Sequence, residues 1–312
     1  MYDLQMGLNI QAIKLLYNEN LHKKIAGNVL LIGKSTVTVS RENLDLFFKN
    51  NEIELSSKDF TKFDTNTKRS SSIFNIDDVE LLYKLFPQIE KIDVLDISSF
   101  EGANVIADLN NPINEKLKFN YDFIYDSSVL DNVFNPAQMI TNVAQMLKPF
   151  GRVLMVNVAS FFPGAMVSCH PEWFYSFFAI NNFSDVKIYL AVQEKHDLDQ
   201  FQYKSNLWLY QPYFTPKEKY NYLEAVMSTS GVAYVYAFAE LGSNLCSNIN
   251  FPVNMQYIDS SESEDWRKKQ NDYALSKRAI INANLSIKNA QNKSRLTLPH
   301  NTDHYIYVGE DF

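Results

Sequence analysis

Cysteine is nearly absent from this chain: Cys169 and Cys246 are the only two among 312 residues. Two distant thiols with no metal-ligand spacing around them make no disulfide framework, and a reduced, cytoplasmic setting is the expectation. Basic charge is also short, with 29 Lys and Arg against 36 Asp and Glu and a net charge of -7. That balance disfavours nonspecific binding to nucleic-acid phosphates. The small clusters Lys68-Arg69 and Arg267-Lys268-Lys269 read as solvated faces. Glycine numbers only nine, and no three lie close together. A nicotinamide dehydrogenase needs closely spaced glycines for its pyrophosphate, so the scarcity argues against one. No apolar run spans a bilayer, 232–239 being among the longest, and the amino terminus has no basic region leading into an apolar core and a cleavage site. Gly-x-Ser-x-Gly, Walker and kinase motifs are missing. His196, Asp197 and Asp199 sit in a polar stretch, and Pro299 with Asn301 makes a loop of the segment holding His300 and His304. No metal site is expected from either group.

What the chain does have is concentrated in residues 119–157, FNYDFIYDSSVLDNVFNPAQMITNVAQMLKPFGRVLMVN. Residues 121–125 form a short apolar run broken only by Asp122 and bounded by Asp126-Ser127-Ser128. Ala137, Ile140, Val143, Ala144 and Leu147 follow at the i, i+3, i+4 spacing of one helix face. Lys148-Pro149-Phe150-Gly151 stops that helix in a turn, and 153–156 reads as a buried parallel strand. A strand, helix and second strand of this length belong in a parallel sheet with helices on its faces. Upstream, 92–97 (IDVLDI) and 103–109 (ANVIADL) are two further strands ending in Asp96 and Asp108. Ligands of such sheets lie beyond the carboxyl ends of the strands, so Asp96, Asp108 and Asp126 are expected to face one crevice.

The same residues carry a family resemblance. The acidic strand ends, the loop Val129-Leu130-Asp131-Asn132-Val133 and the turn Leu147-Lys148-Pro149-Phe150-Gly151 resemble the core of class I S-adenosylmethionine-dependent methyltransferases. The first strand, 29–33 (VLLIG), is followed by Lys34-Ser35-Thr36-Val37 and not by the family's run of glycines. In this the chain is similar to an atypical bacterial subset with one glycine, a basic or polar residue and then a long insertion. The resemblance implies an α/β fold, a doubly wound and mostly parallel Rossmann-like sheet, and S-adenosylmethionine as cofactor. It also implies a set of cofactor-binding residues: Gly33, Lys34 and Ser35 at the methionine end, with Asp126 and Ser127 nearby. Asp96 would accept from the ribose hydroxyls, with Ile97 beside it, and Asp108 with Leu109 would flank the adenine. A carboxylate suits a diol because it accepts two hydrogen bonds at once.

Along the chain, 1–27 is expected to be a helical cap, with Ile10, Ile13, Leu15 and Leu16 on one face. The cofactor-binding core is placed at 28–192, with an insertion at 36–91 whose part 56–72 is a polar loop. A helix at 77–85 buries Val79, Leu82 and Leu85 or Phe86. Strands are expected at 185–190 and 231–239, a turn at 239–242, a polar helix at 262–290, a loop at 291–303 and a terminal strand or extended tail in HYIYV. Residues 193–312 form a substrate-side extension.

Methyl transfer needs an acceptor held in line and sometimes a general base. Asp131 and His170 are the candidate catalytic residues, Asp131 from its place in the loop and His170 from its pKa near neutrality. Glu172, beside a helix start, is explained as well by the helix dipole, and Glu101, between two strands, is a candidate for seating the cofactor or a solvated turn residue. Trp208, Tyr210, Gln211, Tyr213, Gln256 and Tyr257 combine aromatic faces with amides and hydroxyls, a combination suited to carbohydrate. It is similar to methyltransferases of bacterial surface-polysaccharide (capsule) biosynthesis. The expected activity is therefore methylation of a small polar acceptor, a sugar or a phosphate or phosphoramidate group. The rival expectation is a methyltransferase-like scaffold without catalysis, motivated by the missing glycines.

Overall fold

The computed structural model describes residues 7–63, 76–194, 204–210, 232–252 and 305–310. They fall into two compact units, the first holding residues up to Lys148 and the second those from Pro149 onward.

The first unit begins with a short strand, β1 (Leu8–Asn9), and α1 (Ile10–His22), whose first turn is capped by the Asn9 side chain. Ile13, Leu15 and Leu16 are buried as the periodicity predicts. Then come β2 (Gly27–Ile32), β3 (Val37–Thr38), α2 (Arg41–Asn50), α3 (Asp78–Leu85), β4 (Ile89–Asp96), β5 (Val105–Ile106), β6 (Tyr121–Ser127) and α4 (Pro136–Met146). β2 lies between β4 and β6, and β5 flanks β4, all parallel. Counted along the chain, the four strands β2, β4, β5 and β6 stand in the order third, second, first, fourth. This is the doubly wound, Rossmann-like α/β arrangement, whose strand order reverses next to the first strand. β1 and β3 make a separate parallel pair.

Burial explains these elements. β2 is apolar from Val29 to Ile32 because both faces are covered. α4 buries Met139, Ile140, Thr141, Asn142, Val143, Ala144 and Met146, more than the single stripe read from the sequence. α2 was not expected; Ser40 caps it and only Leu44, Phe47 and Phe48 are buried. In α3 the buried residues are Asp78, Leu81, Leu82 and Leu85, so Leu81 takes the place expected of Val79. The strand expected at 103–109 shortens to Val105–Ile106, since Asp108 turns the chain with Asn110 and Asn111.

The second unit contains all but the first two residues of β7 (Leu147–Val158), with α5 (Pro171–Ile180), β8 (Phe183–Glu194), β9 (Lys204–Tyr210), β10 (Val232–Leu241) and β11 (Tyr305–Glu310). β10 lies antiparallel between β7 and β8, so those two strands run the same way. β9 joins β8, and β11 joins β9, both antiparallel. The expected stop at 148–151 is instead part of β7, which begins directly after α4 and takes a positive φ at Phe150. The turn expected at 239–242 is the end of β10, and only Gly242 lies past it. β10 is buried along nearly all its length, and α5 packs on β8, with the Phe178 ring 4.6 Å from that of Phe183.

Trp208 and Tyr210, read from the sequence as sugar-binding aromatics, are core residues at 1% and 6% exposure. Both lie in a stretch, 206–210, that is buried at every position. Gln211, Tyr213, Gln256, Tyr257, the segments 64–75, 262–290 and 291–303, the clusters at 68–69 and 267–269, and His196, Asp197, Asp199, His300 and His304 lie outside the described residues.

Candidate functional site

The sheet register places the carboxyl ends of the four parallel strands of the first unit side by side. Ile32 of β2 stands opposite Leu95 of β4 and Asp126 of β6, and Asp96 stands opposite Ile106 of β5. The Gly33 N–H donates to the Leu95 carbonyl at 2.8 Å, and the Ala107 N–H to the Asp96 carbonyl at 3.0 Å. Asp108, Asp96, Gly33 and Asp126 thus share one edge of the sheet, and the strand-order reversal falls between Gly33 and Asp126. Neighbouring strands are about 4.8 Å apart, so Asp96 and Asp126 are roughly 10 Å apart across two spacings.

Asp96 is half-buried at the tip of β4. Its Oδ1 accepts from the Ile97 N–H at 2.6 Å, while Oδ2 has no hydrogen bond from the described residues and can receive a ligand. Ile97 and Phe100 are 69% and 84% exposed beside it, and Ile106 and Phe134 are also exposed. A carboxylate with an open oxygen beside bare apolar side chains is what a ribose joined to a flat base requires. Asp108 differs. Its carboxylate accepts from the Asn110 N–H and from the side chains of Asn110 and Asn111, and the Asn110 bond leads in holding its pKa below the usual carboxylate range. Leu109 is buried, and its carbonyl accepts from Asn142 of α4. Asn142 also holds the Asn111 carbonyl and the Ile113 N–H, so one closed amide on α4 fixes the loop after β5. Sequence reading missed it, although an amide in an otherwise apolar helix stripe was a visible signal.

Gly33 has φ +74°, and a Cβ there would lie 2.7 Å from the Val129 side chain. The close approach of the loops after β2 and β6 therefore requires this one glycine. Lys34 turns away from a ligand role: its ammonium sits 2.6 Å from Asp77 and 2.9 Å from Asp78 at the start of α3. Burial alone lowers its pKa, but Asp78 and Asp77 outweigh that and hold it above the ordinary lysine value. Asp77 is driven up by burial and more strongly down by Lys34 and the Glu80 N–H, ending low. Ser35 donates its N–H to Asp78 at 2.7 Å, while its hydroxyl is buried without a partner among the described residues. Asp126 is closed to solvent and accepts from the Val129 N–H at 2.9 Å, and the Ser127 hydroxyl beside it has no partner among the described residues.

Asp131 is closed over as well: Ser128 donates to one oxygen at 2.6 Å and Asn132 to the other at 2.8 Å. Its carboxylate organises the loop after β6. His170 belongs to the second unit, where it caps α5 by accepting the Glu172 N–H at Nδ1, 3.2 Å away. The imidazole touches solvent, yet the protein crowded around it lowers its pKa by desolvation. Desolvation also raises the Glu172 pKa. Glu101 is a half-buried turn residue.

Strand order and acidic carboxyl edge define a Rossmann-like α/β protein. No family model and no curated protein matches the chain. Solved structures similar to it include the citrinin polyketide synthase CMeT domain, at a TM-score of 0.38 and 9% identity, covering 75% of this chain and 52% of that one. A SAM dependent methyltransferase from Archaeoglobus fulgidus aligns at a TM-score of 0.34 and 12% identity, over 73% of this chain and 93% of that one. An S-adenosylmethionine-dependent methyltransferase from Clostridium acetobutylicum aligns at 0.30 and 10%, over 73% and 90%. The chain spans about half the length of the first of these. Likenesses this distant carry no argument about activity, which rests on the side chains described above.

Proposed function

We propose that the first unit binds S-adenosylmethionine across the carboxyl ends of β2, β4 and β6, and that the protein is a methyltransferase acting on a small polar acceptor. The observation that carries this reading is Asp96, with one unengaged carboxylate oxygen at the tip of β4 between exposed Ile97 and Phe100. The hydroxyls of Ser35 and Ser127, polar groups at the edge without a hydrogen-bond partner among the described residues, fit the same ligand. When bound, the cofactor supplies an electrophilic methyl group on a sulfonium. The chain's own part is to hold the ribose at Asp96, cover the base with Ile97 and Phe100, and keep Leu109 and the loop after β5 in place through Asn142.

Cytoplasmic location and an O-methylated acceptor of the sugar, phosphate or phosphoramidate kind are part of this proposal. They rest on the sequence resemblance, and with Trp208 and Tyr210 in the core the polysaccharide reading keeps little support. A second reading, a binding protein without catalysis, is favoured by one observation: Lys34, where the family has glycine, is locked into an ion-pair cluster.

Calorimetric titration with S-adenosylmethionine and S-adenosylhomocysteine tests the proposal. Wild-type protein is expected to bind both, and Asp96→Ala to weaken binding about tenfold or more without lowering the melting temperature. Unchanged affinity in Asp96→Ala removes the residue from the site. Binding of S-adenosylhomocysteine with no turnover on any acceptor pool favours the second reading.

A further inference from the structure

In a Rossmann-like sheet the helix after the first strand normally turns its amino terminus to the ligand. Here no helix follows β2 directly; the chain passes through Lys34 and Ser35 into β3. A different amino terminus occupies that neighbourhood, that of α1, which precedes β2. The Leu8 N–H donates to the Thr36 carbonyl at 2.9 Å, and Leu8 and Asn9 pair with Val37 and Thr38. The Tyr125 hydroxyl, one residue before Asp126, donates to the Gly7 carbonyl at 3.4 Å. The start of α1 is thereby tied both to the loop after β2 and to the end of β6.

Three nearly closed side chains on these joined segments have polar atoms without partners among the described residues. They are the Gln11 amide nitrogen in the first turn of α1, the Thr38 hydroxyl beside Asn9, and the Ser35 hydroxyl, at 3%, 5% and 3% exposure. The first turn of α1 contains no acidic residue, so no side chain there neutralises the positive end of the helix. An amide nitrogen can only donate, and hydroxyls and helix N–H groups can donate with it, so the missing partner is an acceptor, best an anion. A doubly charged phosphate would need a cation, and the nearby Lys34 is committed to Asp77 and Asp78. A carboxylate with its own neighbouring ammonium carries no such demand.

We propose that the amino terminus of α1, with Gln11, Thr38 and Ser35, is a carboxylate pocket for an amino-acid-type group. On the cofactor reading above, on which this inference rests, that group is the α-carboxylate of the methionine end. The preceding helix then does what a glycine loop and following helix do elsewhere, and the chain dispenses with the glycines.

The test compares S-adenosylhomocysteine with methylthioadenosine, which lacks the amino-acid end, by calorimetry on the full chain. Wild-type protein is expected to prefer S-adenosylhomocysteine. Gln11→Glu and Thr38→Val, both close in shape to the originals, are expected to weaken it about ten- to a hundredfold while leaving methylthioadenosine affinity unchanged. Equal loss for both ligands means a structural role and overturns the pocket. Equal affinity of wild-type protein for the two ligands also overturns it, with the cofactor reading intact. Binding of neither overturns the cofactor reading and this inference together.

Discussion

His170 shows how a side chain's hydrogen bond decides what chemistry it can offer. Because Nδ1 accepts the Glu172 N–H, the proton of the neutral imidazole is on Nε2. A histidine in that tautomer donates; it has no free basic nitrogen with which to take a proton from an acceptor. Its lowered pKa keeps it neutral and so keeps the cap. Replacement by asparagine, a good cap with no basic nitrogen, is expected to preserve both stability and any turnover, whereas His170→Ala should cost about 1 kcal/mol. Urea unfolding measures the first effect and initial rates the second. A collapse of kcat in His170→Asn with unchanged stability would restore the histidine as a base. Asp131 makes the same point more simply, since a carboxylate with both oxygens engaged and no exposure serves its loop.

The loop from β2 to α3 carries the largest difference between what sequence and structure say. Apolar runs made β2, β4, β6, α4, β8 and β10 legible, because burial on both faces leaves a continuous signature. The carboxyl-edge placement of Asp96 and Asp126 was legible for the same reason: each ends such a run. α2 was not, since three buried residues among ten leave a thin stripe in a polar sequence. Nor was the fate of Lys34, whose partners Asp77 and Asp78 lie 43 and 44 positions away with nothing local to announce them. With Asp78 closed to solvent, removing the cation leaves a buried carboxylate unpaired. Lys34→Met is therefore expected to destabilise the fold by about 3–5 kcal/mol, and Lys34→Met with Asp78→Leu to recover much of it. Urea midpoints at constant slope check this. A loss below about 1 kcal/mol in the single variant would mean that Asp78 is neutral in the wild type and the cluster is no ion pair.

Taken whole, the chain is acidic, with a sequence pI near 5.3, and repulsion alone would place its greatest stability there. The folded carboxylates argue otherwise. Burial raises both Asp77 and Glu80, but Lys34 and the Glu80 N–H outweigh it at Asp77. At Glu80 the Lys62 and Thr61 N–H groups outweigh it with the Thr61 hydroxyl and Lys84, so both end below their ordinary values of 3.8 and 4.5. Asp59 and Asp108 are lowered mainly by hydrogen bonds from Ser56 and Asn110. For each of these the unfolded chain binds the proton more readily, so the stabilisation is present above the unfolded pKa and is lost as pH falls through the folded one. His170, with its folded pKa below 6.5, works in the same direction at higher pH. Asp78 and Glu172 oppose, since burial raises both and their contribution falls as pH rises. The lowered groups, Asp59, Asp77, Glu80, Asp108 and His170, are expected to make the urea midpoint decline from about pH 6.5 to about pH 3, with no maximum at the pI. Measured at fixed ionic strength, a midpoint that peaks near the pI would show that net repulsion, and not these local bonds, governs acid stability. The Lys34→Met variant sharpens the test. Without its cation Asp77 should lose much of its depression, and the decline below about pH 4 should become shallower than in the wild type.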